Sequence, residues 1–380
     1  MAAIDMTKDG FRVTPWEISG KIDYERLIKE FGVERITPEL LRKIEHITGE
    51  THFMLRRGIF FAHRDLSWLL NEYEKGNKFF LYTGRAPSGK IHLGHLQTWM
   101  FTKWIQDKFD VNLWFQFPDE EKFFFKQDLT FEKIEEYLQD NMLDVIALGF
   151  DPKKTHFIID TKHASLMYKE ACKIAKKLTF SMVKSSFGLT EQSNVGSIFY
   201  TSMQTVPAYL PSILKGKKIP CLIAHAVDQD PHFRLTRDIL PKLNQYKPAS
   251  IQCTFLPPLT GFEGKMSSSE ESAAIYTTDS PKEVERKIKK YAFSGGRDTL
   301  EEHRKLGGNP DVDVSFLYLK YLFEEDDKKL KKIHDDYKSG KLLSGELKQI
   351  TINKINEFLK NHQKKREEAK KMVDKFIFKG

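Results

Sequence analysis

Cysteine is scarce in this chain: Cys172, Cys221 and Cys253 are the only three among 380 residues. An odd, widely spaced set cannot build a disulfide framework, and without a C-x-x-C pair there is no thiolate zinc site. Long apolar runs are missing as well. No stretch approaches the roughly 18–20 residues that span a bilayer. The opening MAAIDMTKDGFRV lacks the apolar centre of a secretory signal. Membrane insertion and secretion are excluded on this reading, and a reducing cytoplasm is the expected setting. Internal repeats and low-complexity tracts are also absent. What remains is 40% hydrophobic and 30% charged residues, enough for a sizeable core under a soluble surface. The length is roughly two to three times a usual domain, so two packed units and an extension are expected. A net charge of +8 permits a polyanionic partner without requiring one.

Residues 1 to 75 carry short helical patterns, YERLIKEFG and PELLRKIEHITG, without a strand–helix rhythm, and read as a mostly helical N-terminal extension. From Lys78 the character changes. KFFLYTG, VNLWFQF, THFIID, PCLIAHA and ASIQCTF are short, apolar and rich in β-branched or aromatic residues. Longer stretches of helical period separate them. That alternation predicts an α/β, doubly wound, parallel-sheet (Rossmann-like) domain over 76–270. After about Ser280 the strand signal ends, and 271–380 reads as an all-helical domain. The segment from Gly345 to Lys375, with lysine and glutamate between apolar residues, predicts a helix with a solvated, ion-paired outer face.

The first strand runs into Arg85-Ala86-Pro87-Ser88-Gly89-Lys90-Ile91-His92-Leu93-Gly94-His95. Leu93, Leu96, Met100 and Trp104 then keep a helical period. A helix opening at the carboxyl end of a first strand aims free N–H groups and a positive dipole into the ligand crevice. His92 and His95 share one face of its first turn, and their ring N–H groups suit phosphate oxygens. Gly94 between them would let a flat base lie against the backbone. H-x-G-H alone is a short pattern that two ordinary histidines at a helix start would also produce. Its placement after a strand and a P-S-G turn favours the phosphate reading.

Roughly 170 residues further on lies Lys265-Met266-Ser267-Ser268-Ser269, in a loop flanked by Gly261 and Gly264. A mobile lysine charge on a polar hinge suits a triphosphate, though a plain surface loop would look the same. Together, H-x-G-H and K-M-S-x-S are the paired signatures of class I aminoacyl-tRNA synthetases. The chain resembles that class and, in detail, the tryptophanyl-tRNA synthetases of the eukaryotic and archaeal type. Further stretches carry the likeness: Tyr82-Thr83-Gly84-Arg85, Gln116 with Asp119-Glu120-Glu121-Lys122, Asp228-Gln229-Asp230-Pro231-His232, and Gly295-Gly296-Arg297-Asp298-Thr299. It runs from about Val13 to the C-terminus.

The resemblance implies a ligase that joins tryptophan and ATP into tryptophanyl-adenylate, then transfers the tryptophanyl group to tRNA(Trp). It places ATP on Arg85, His92, Gly94, His95, Lys265, Ser267, Ser268 and Ser269, with Mg2+ screening the triphosphate. Lysine is common in the class at the position of Ser268, so the transition-state charge is expected to rest mainly on Lys265. Tyr82 and Gln116 would accept the indole N–H, and Glu121, Gln204 and Gln229 would bind the α-ammonium group. Asp230 reads as a helix N-cap with Pro231 at the first helical position. The helical domain would recognise the anticodon, with Arg297 and Asp298 as candidates. A helix-capping turn at Asp298 is an equal alternative. A homodimer is implied, with Trp16 of the extension covering the ATP site. A tyrosine-specific synthetase, a catalytically silent RNA-binding relative and a small adenylyltransferase stay as alternatives.

Overall fold

The computed structural model describes residues 32–266 and 271–380, with the short pieces 12–13, 18–19 and 28–29. The loop serines Ser267, Ser268 and Ser269 and the extension's Trp16 therefore lie outside the described residues. Strands β1 (Arg12–Val13) and β2 (Ile18–Ser19) pair antiparallel. The remaining strands, β3 (Glu34–Arg35), β4 (Phe60–Arg64), β5 (Phe80–Gly84), β6 (Leu113–Phe117), β7 (Thr155–Ile159), β8 (Cys221–Ala226) and β9 (Ala249–Cys253), form one sheet. Its order is β3-β4-β9-β8-β5-β6-β7.

The five apolar segments anticipated from the sequence are β5 to β9, and every pair among them is parallel. From β5 the chain winds outward to β6 and β7, then returns to the other side for β8 and β9. The point of reversal lies between β5 and β8, where doubly wound sheets open a crevice at the carboxyl ends of their strands. Both faces are covered, which is why these strands read as continuous apolar runs. Side chains still alternate. Leu81, Leu113, Phe115 and Phe117 join the core beneath the helix Leu93–Phe109. Phe80, Tyr82, Trp114 and Ile223 join the core on the opposite face, with Met167, Tyr200 and Met203 of the helices Ala164–Ala175 and Val195–Met203. The period of two puts Gln116, two residues after Trp114, on the same face as Tyr82.

One expectation changes. Residues 60–64, read as part of a helical extension, form β4, which pairs antiparallel with β9 and carries β3 on its outer edge. The segment FFAHR is short and follows a helical pattern closely, so its strand character shows only once β9 offers an unpaired edge. The long C-terminal helix expected from the sequence spans Ser344–Ala369. One face is solvated, but Ile352, Ile355 and Leu359 are buried on the other. Each such side chain contributes at most about 1.5–3 kcal/mol. This helix packs on Phe131–Ala147, where His362 Nε2 lies 2.8 Å from Asp144 Oδ1 and Arg366 pairs with Asp140 and Asp144. The chain then returns to the sheet: Ile377 bridges Phe157 of β7, and Phe378 N donates to Phe157 O at 3.0 Å.

Candidate active site

The helix Leu93–Phe109 starts at His92, whose φ of −117° and ψ of 167° place it as N-cap. Its Nδ1 accepts from Gly94 N at 3.1 Å, and His95 Nδ1 accepts from His92 N at 3.2 Å. The two rings stack with centroids 3.7 Å apart. Both Nδ1 atoms are thus acceptors, so each neutral ring carries its proton on Nε2. Burial drives both imidazoles well below the usual histidine range, reinforced by the charges of Arg85 and Lys265. Two neutral Nε2–H donors at a helix N-terminus suit an anion's oxygens, and the rings themselves add no charge. Upstream, a Cβ on Gly84 would meet Gln116 O at 2.7 Å, so glycine is needed where Arg85 N donates to that oxygen at 2.9 Å.

Lys265 and Met266 line the same cleft as His92, Gly94 and His95. A Cβ on Gly94 would stand 3.0 Å from His92 Cε1 and 3.4 Å from Met266 Cβ, so the two motifs touch. The Lys265 ammonium pairs with Asp228 Oδ2 and sits 5.8 Å from the Phe255 ring. Gln229 Nε2 donates to the same Asp228 oxygen at 3.2 Å. Lys265 is 42% exposed while Asp228 is 3% exposed, so the cation is the mobile partner. Beyond the loop the chain is pinned back: Leu93 N donates to Ile275 O, and Thr277 N to Ile91 O, both at 3.0 Å.

Deeper in the cleft Tyr82 OH donates to Gln116 Oε1 at 2.5 Å, with the Gln204 carbonyl oxygen at 3.0 Å as a second acceptor. Burial, the Asp160 charge and other neighbours hold the phenol well above its usual range, so it keeps its proton. Glu121 receives a hydrogen bond from Tyr200 OH at 2.9 Å and pairs with Lys122 at 2.5 Å. Burial pushes the Glu121 carboxyl up, but Lys122, His232 and Tyr200 outweigh it, and the net direction is down. Glu121 is a buried anion, which suits a cationic group of a ligand.

Tyr82, Arg85, His92, Gly94, His95, Gln116, Glu121, Gln204, Gln229 and Lys265 all line this one cleft, which encloses about 1270 Å³ of space partly open to solvent. Arg85 Nε, Gln204 Oε1 and His225 Nε2 are buried there without a hydrogen-bond partner. Such groups cost about 1–3 kcal/mol each unless something answers them, and a polar ligand would. Lys90 is outside the lining and stands over the Tyr276 ring at 5.9 Å. Arg297 and Asp298 are exposed and lie outside the cleft; Arg297 Nε donates to Gly307 O at 3.0 Å. The cap of the following helix, Leu300–Leu306, is Thr299 and not Asp298. Asp230 is likewise no N-cap. It is the first residue of the helix Asp230–Ile239, buried against Arg64 at 2.9 Å and Gln252 at 2.6 Å, and ties that helix to β4 and β9.

Sequence reasoning passed over Asp160, Tyr200, His225 and His232. Asp160 follows β7 directly, at the carboxyl end of a strand, and that position was the available signal. Tyr200 carries no local pattern. Among the described residues no three histidine, cysteine, aspartate or glutamate side chains cluster as a metal site. The described side chains offer no such cluster to hold Mg2+, and no step is routed through one.

The family model of tRNA synthetases class I (W and Y) matches residues 74–360. A tryptophan–tRNA ligase of Sulfurisphaera tokodaii is 55% identical over 371 residues, covering 97% of this chain and 96% of its own. One from Saccharolobus solfataricus is 53% identical over 372 residues, covering 98% and 96%. The solved tryptophanyl-tRNA synthetase of Giardia lamblia superposes with a TM-score of 0.89 at 40% identity, covering 94% of this chain and 96% of its own. The chain belongs to the class I tRNA synthetases of the W and Y family.

Proposed function

We propose that this class I synthetase is specific for tryptophan: it joins tryptophan and ATP into tryptophanyl-adenylate, then passes the tryptophanyl group to the 3'-terminal ribose of tRNA(Trp). One observation carries the reading. Two hydrogen-bond acceptors, Tyr82 and Gln116, stand with the Glu121 anion in the same cleft as the His92–His95 pair and Lys265. Indole offers a single N–H and no acceptor, so an acceptor pair beside an ammonium site fits tryptophan. The tryptophan carboxylate attacks the α-phosphorus of ATP and pyrophosphate leaves with the bonding electron pair. The ribose hydroxyl of tRNA then attacks the adenylate carbonyl, and AMP leaves. No side-chain nucleophile is needed. Catalysis is positioning and charge stabilisation.

The Nε2–H groups of His92 and His95 donate to phosphate oxygens at the helix mouth. Arg85 and Lys265 supply the positive charge, Lys265 leaving Asp228 to do so. Gly94 gives adenine its place, Ser267, Ser268 and Ser269 belong to the closing loop, and Mg2+ travels with the triphosphate. Gln204 and Gln229 join Glu121 around the α-ammonium group. In this reading 76–270 is the catalytic domain and 271–380 the anticodon-binding domain, where the solvent-exposed Arg297 and Asp298 would meet bases. A homodimer and a cytoplasmic setting complete it. The exposed stacked pair Phe123 and Phe131, 4.3 Å apart, offers an apolar face for a second copy, and sedimentation tests that.

The decisive assay is ATP–pyrophosphate exchange with each standard amino acid in turn. Tryptophan is the expected substrate, with phenylalanine rejected by up to roughly 10⁴–10⁵, because an acceptor site left unanswered is costly. Exchange driven by tyrosine overturns the specificity, and no exchange at all overturns the enzyme reading.

A further inference from the structure

Behind the indole-facing pair lies a buried acid cluster that the reaction itself does not use. Gln116 Nε2 donates to Asp160 Oδ2 at 2.7 Å. Asp160 is 1% exposed and Glu120 8% exposed. Asp160 Oδ1 and both Glu120 carboxyl oxygens are buried without a hydrogen-bond partner. The charge of each carboxyl bears on the other, which favours a proton held on one of them. Burial first, and then the neighbouring carboxylates including Asp119, push both groups up, Glu120 to about 8. Asp119 is separately engaged by Thr161 N at 3.0 Å.

An amide side chain has two faces of opposite character, and nothing in its shape decides which one turns to the ligand. If Gln116 turned its NH2 towards the pocket, it would face the indole N–H donor to donor. Asp160 prevents this by accepting from Nε2, so Oε1 faces Tyr82 and the ligand. Tyr82 OH then spends its proton on Oε1, and its own oxygen is left as an acceptor. A proton held on one of them lets the two buried carboxyls coexist without two charges.

We infer that Asp160 is a positioning residue for substrate selection: it locks the Gln116 amide so that the pocket presents acceptors to the indole N–H. The inference rests on the tryptophan reading above and extends it to residues that do not touch the substrate.

The test compares tryptophan with β-(1-benzothiophen-3-yl)alanine, which has the same shape but no N–H. Pyrophosphate exchange is measured on wild type, Asp160→Ala, Asp160→Asn and Glu120→Gln. The asparagine variant keeps an oxygen for Gln116 Nε2, and the glutamine variant keeps the size of Glu120 while removing its charge. Both are expected to stay within about threefold of wild type. Alanine removes the acceptor. It should raise KM for tryptophan by about tenfold or more while KM for the benzothiophene analogue and for ATP moves by less than about threefold. Should the alanine variant not fold, Asp160→Val keeps more of the volume and also lacks the acceptor. Equal losses for both amino acids, or an asparagine variant as impaired as alanine, overturn the inference. Wild-type exchange with tryptophan is the separate control. Its absence defeats the specificity reading, whereas equal losses on a wild-type background that does use tryptophan defeat only the role of Asp160.

Discussion

Lys265→Ala separates binding from chemistry, because Lys265 has two duties with different sizes. In the resting cleft it neutralises Asp228, a carboxylate 3% exposed. Breaking a fully buried pair costs about 3–5 kcal/mol, but Lys265 is 42% exposed and water already reaches it. The stability cost should therefore fall to about 1–2 kcal/mol. In the reaction the ammonium meets phosphate charge. At about 4 Å and an effective dielectric of 20 the attraction is about 4 kcal/mol. Part of it is already felt by bound ATP, so about 2–3 kcal/mol is left for the transition state, or roughly 30- to 150-fold in rate. Saturating pyrophosphate exchange should drop by that factor. KM for tryptophan should stay within about threefold, since the Tyr82–Gln116 pair is independent of Lys265. Adding Asp228→Asn removes the unpaired carboxylate. The double variant should regain thermal stability and none of the lost rate. A single variant with an exchange rate within a few-fold of wild type, or a double variant that recovers the rate, refutes the assignment of this lysine to the phosphates.

Three further outcomes follow from the same geometry. Gly94→Ala puts a methyl 3.0–3.1 Å from the His92 ring, so the ring must give up its bond to the residue 94 N–H; KM for ATP should rise by about tenfold with tryptophan KM unchanged, and an unchanged ATP KM counts against the helix mouth as the phosphate site. Tyr82→Phe strips the donor from Gln116 Oε1 and Gln204 O. Chemical denaturation should show a loss of about 1–3 kcal/mol, and exchange should show a KM for tryptophan raised by about 5- to 100-fold; wild-type values on both counts would mean that this hydroxyl is idle. Glu120→Gln tests the proton held on Glu120 through pH. Glu120, facing Asp119, Asp160 and Glu121, titrates at about 8 in the folded chain and 4.5 unfolded, so its contribution is full below 4.5 and is lost as pH rises towards 8. The glutamine variant lacks that loss, and its melting temperature relative to wild type should climb between pH 5 and pH 8; a constant difference argues against a proton held there.

What could be read in advance depended on how local its cause was. Strands β5 to β9 were legible because each is buried on both faces, and an apolar run of that length announces itself without its neighbours. The His92–His95 turn was legible for a similar reason: a strand, a P-S-G turn and a helix start lie within some twenty consecutive residues, and the helix mouth makes the chemistry there. β4 was missed because FFAHR owes its strand state to the free edge of β9, nearly two hundred residues away. Asp230 misled for the opposite reason. D-P is a good local cap signal, but Arg64 and Gln252, both distant in sequence, claim the carboxylate and bury it. Asp160 belongs with these cases, and its consequence reaches furthest. Its place after β7 marks it only weakly, since its partner Gln116 stands on β6 and its companion Glu120 on the helix Asp119–Phe125 that follows that strand. A motif can name the amide, but only the packed sheet shows that Asp160 takes its Nε2 and leaves Oε1 to Tyr82. For a ligand with one polar atom on its ring, the choice between acceptor and donor is the specificity.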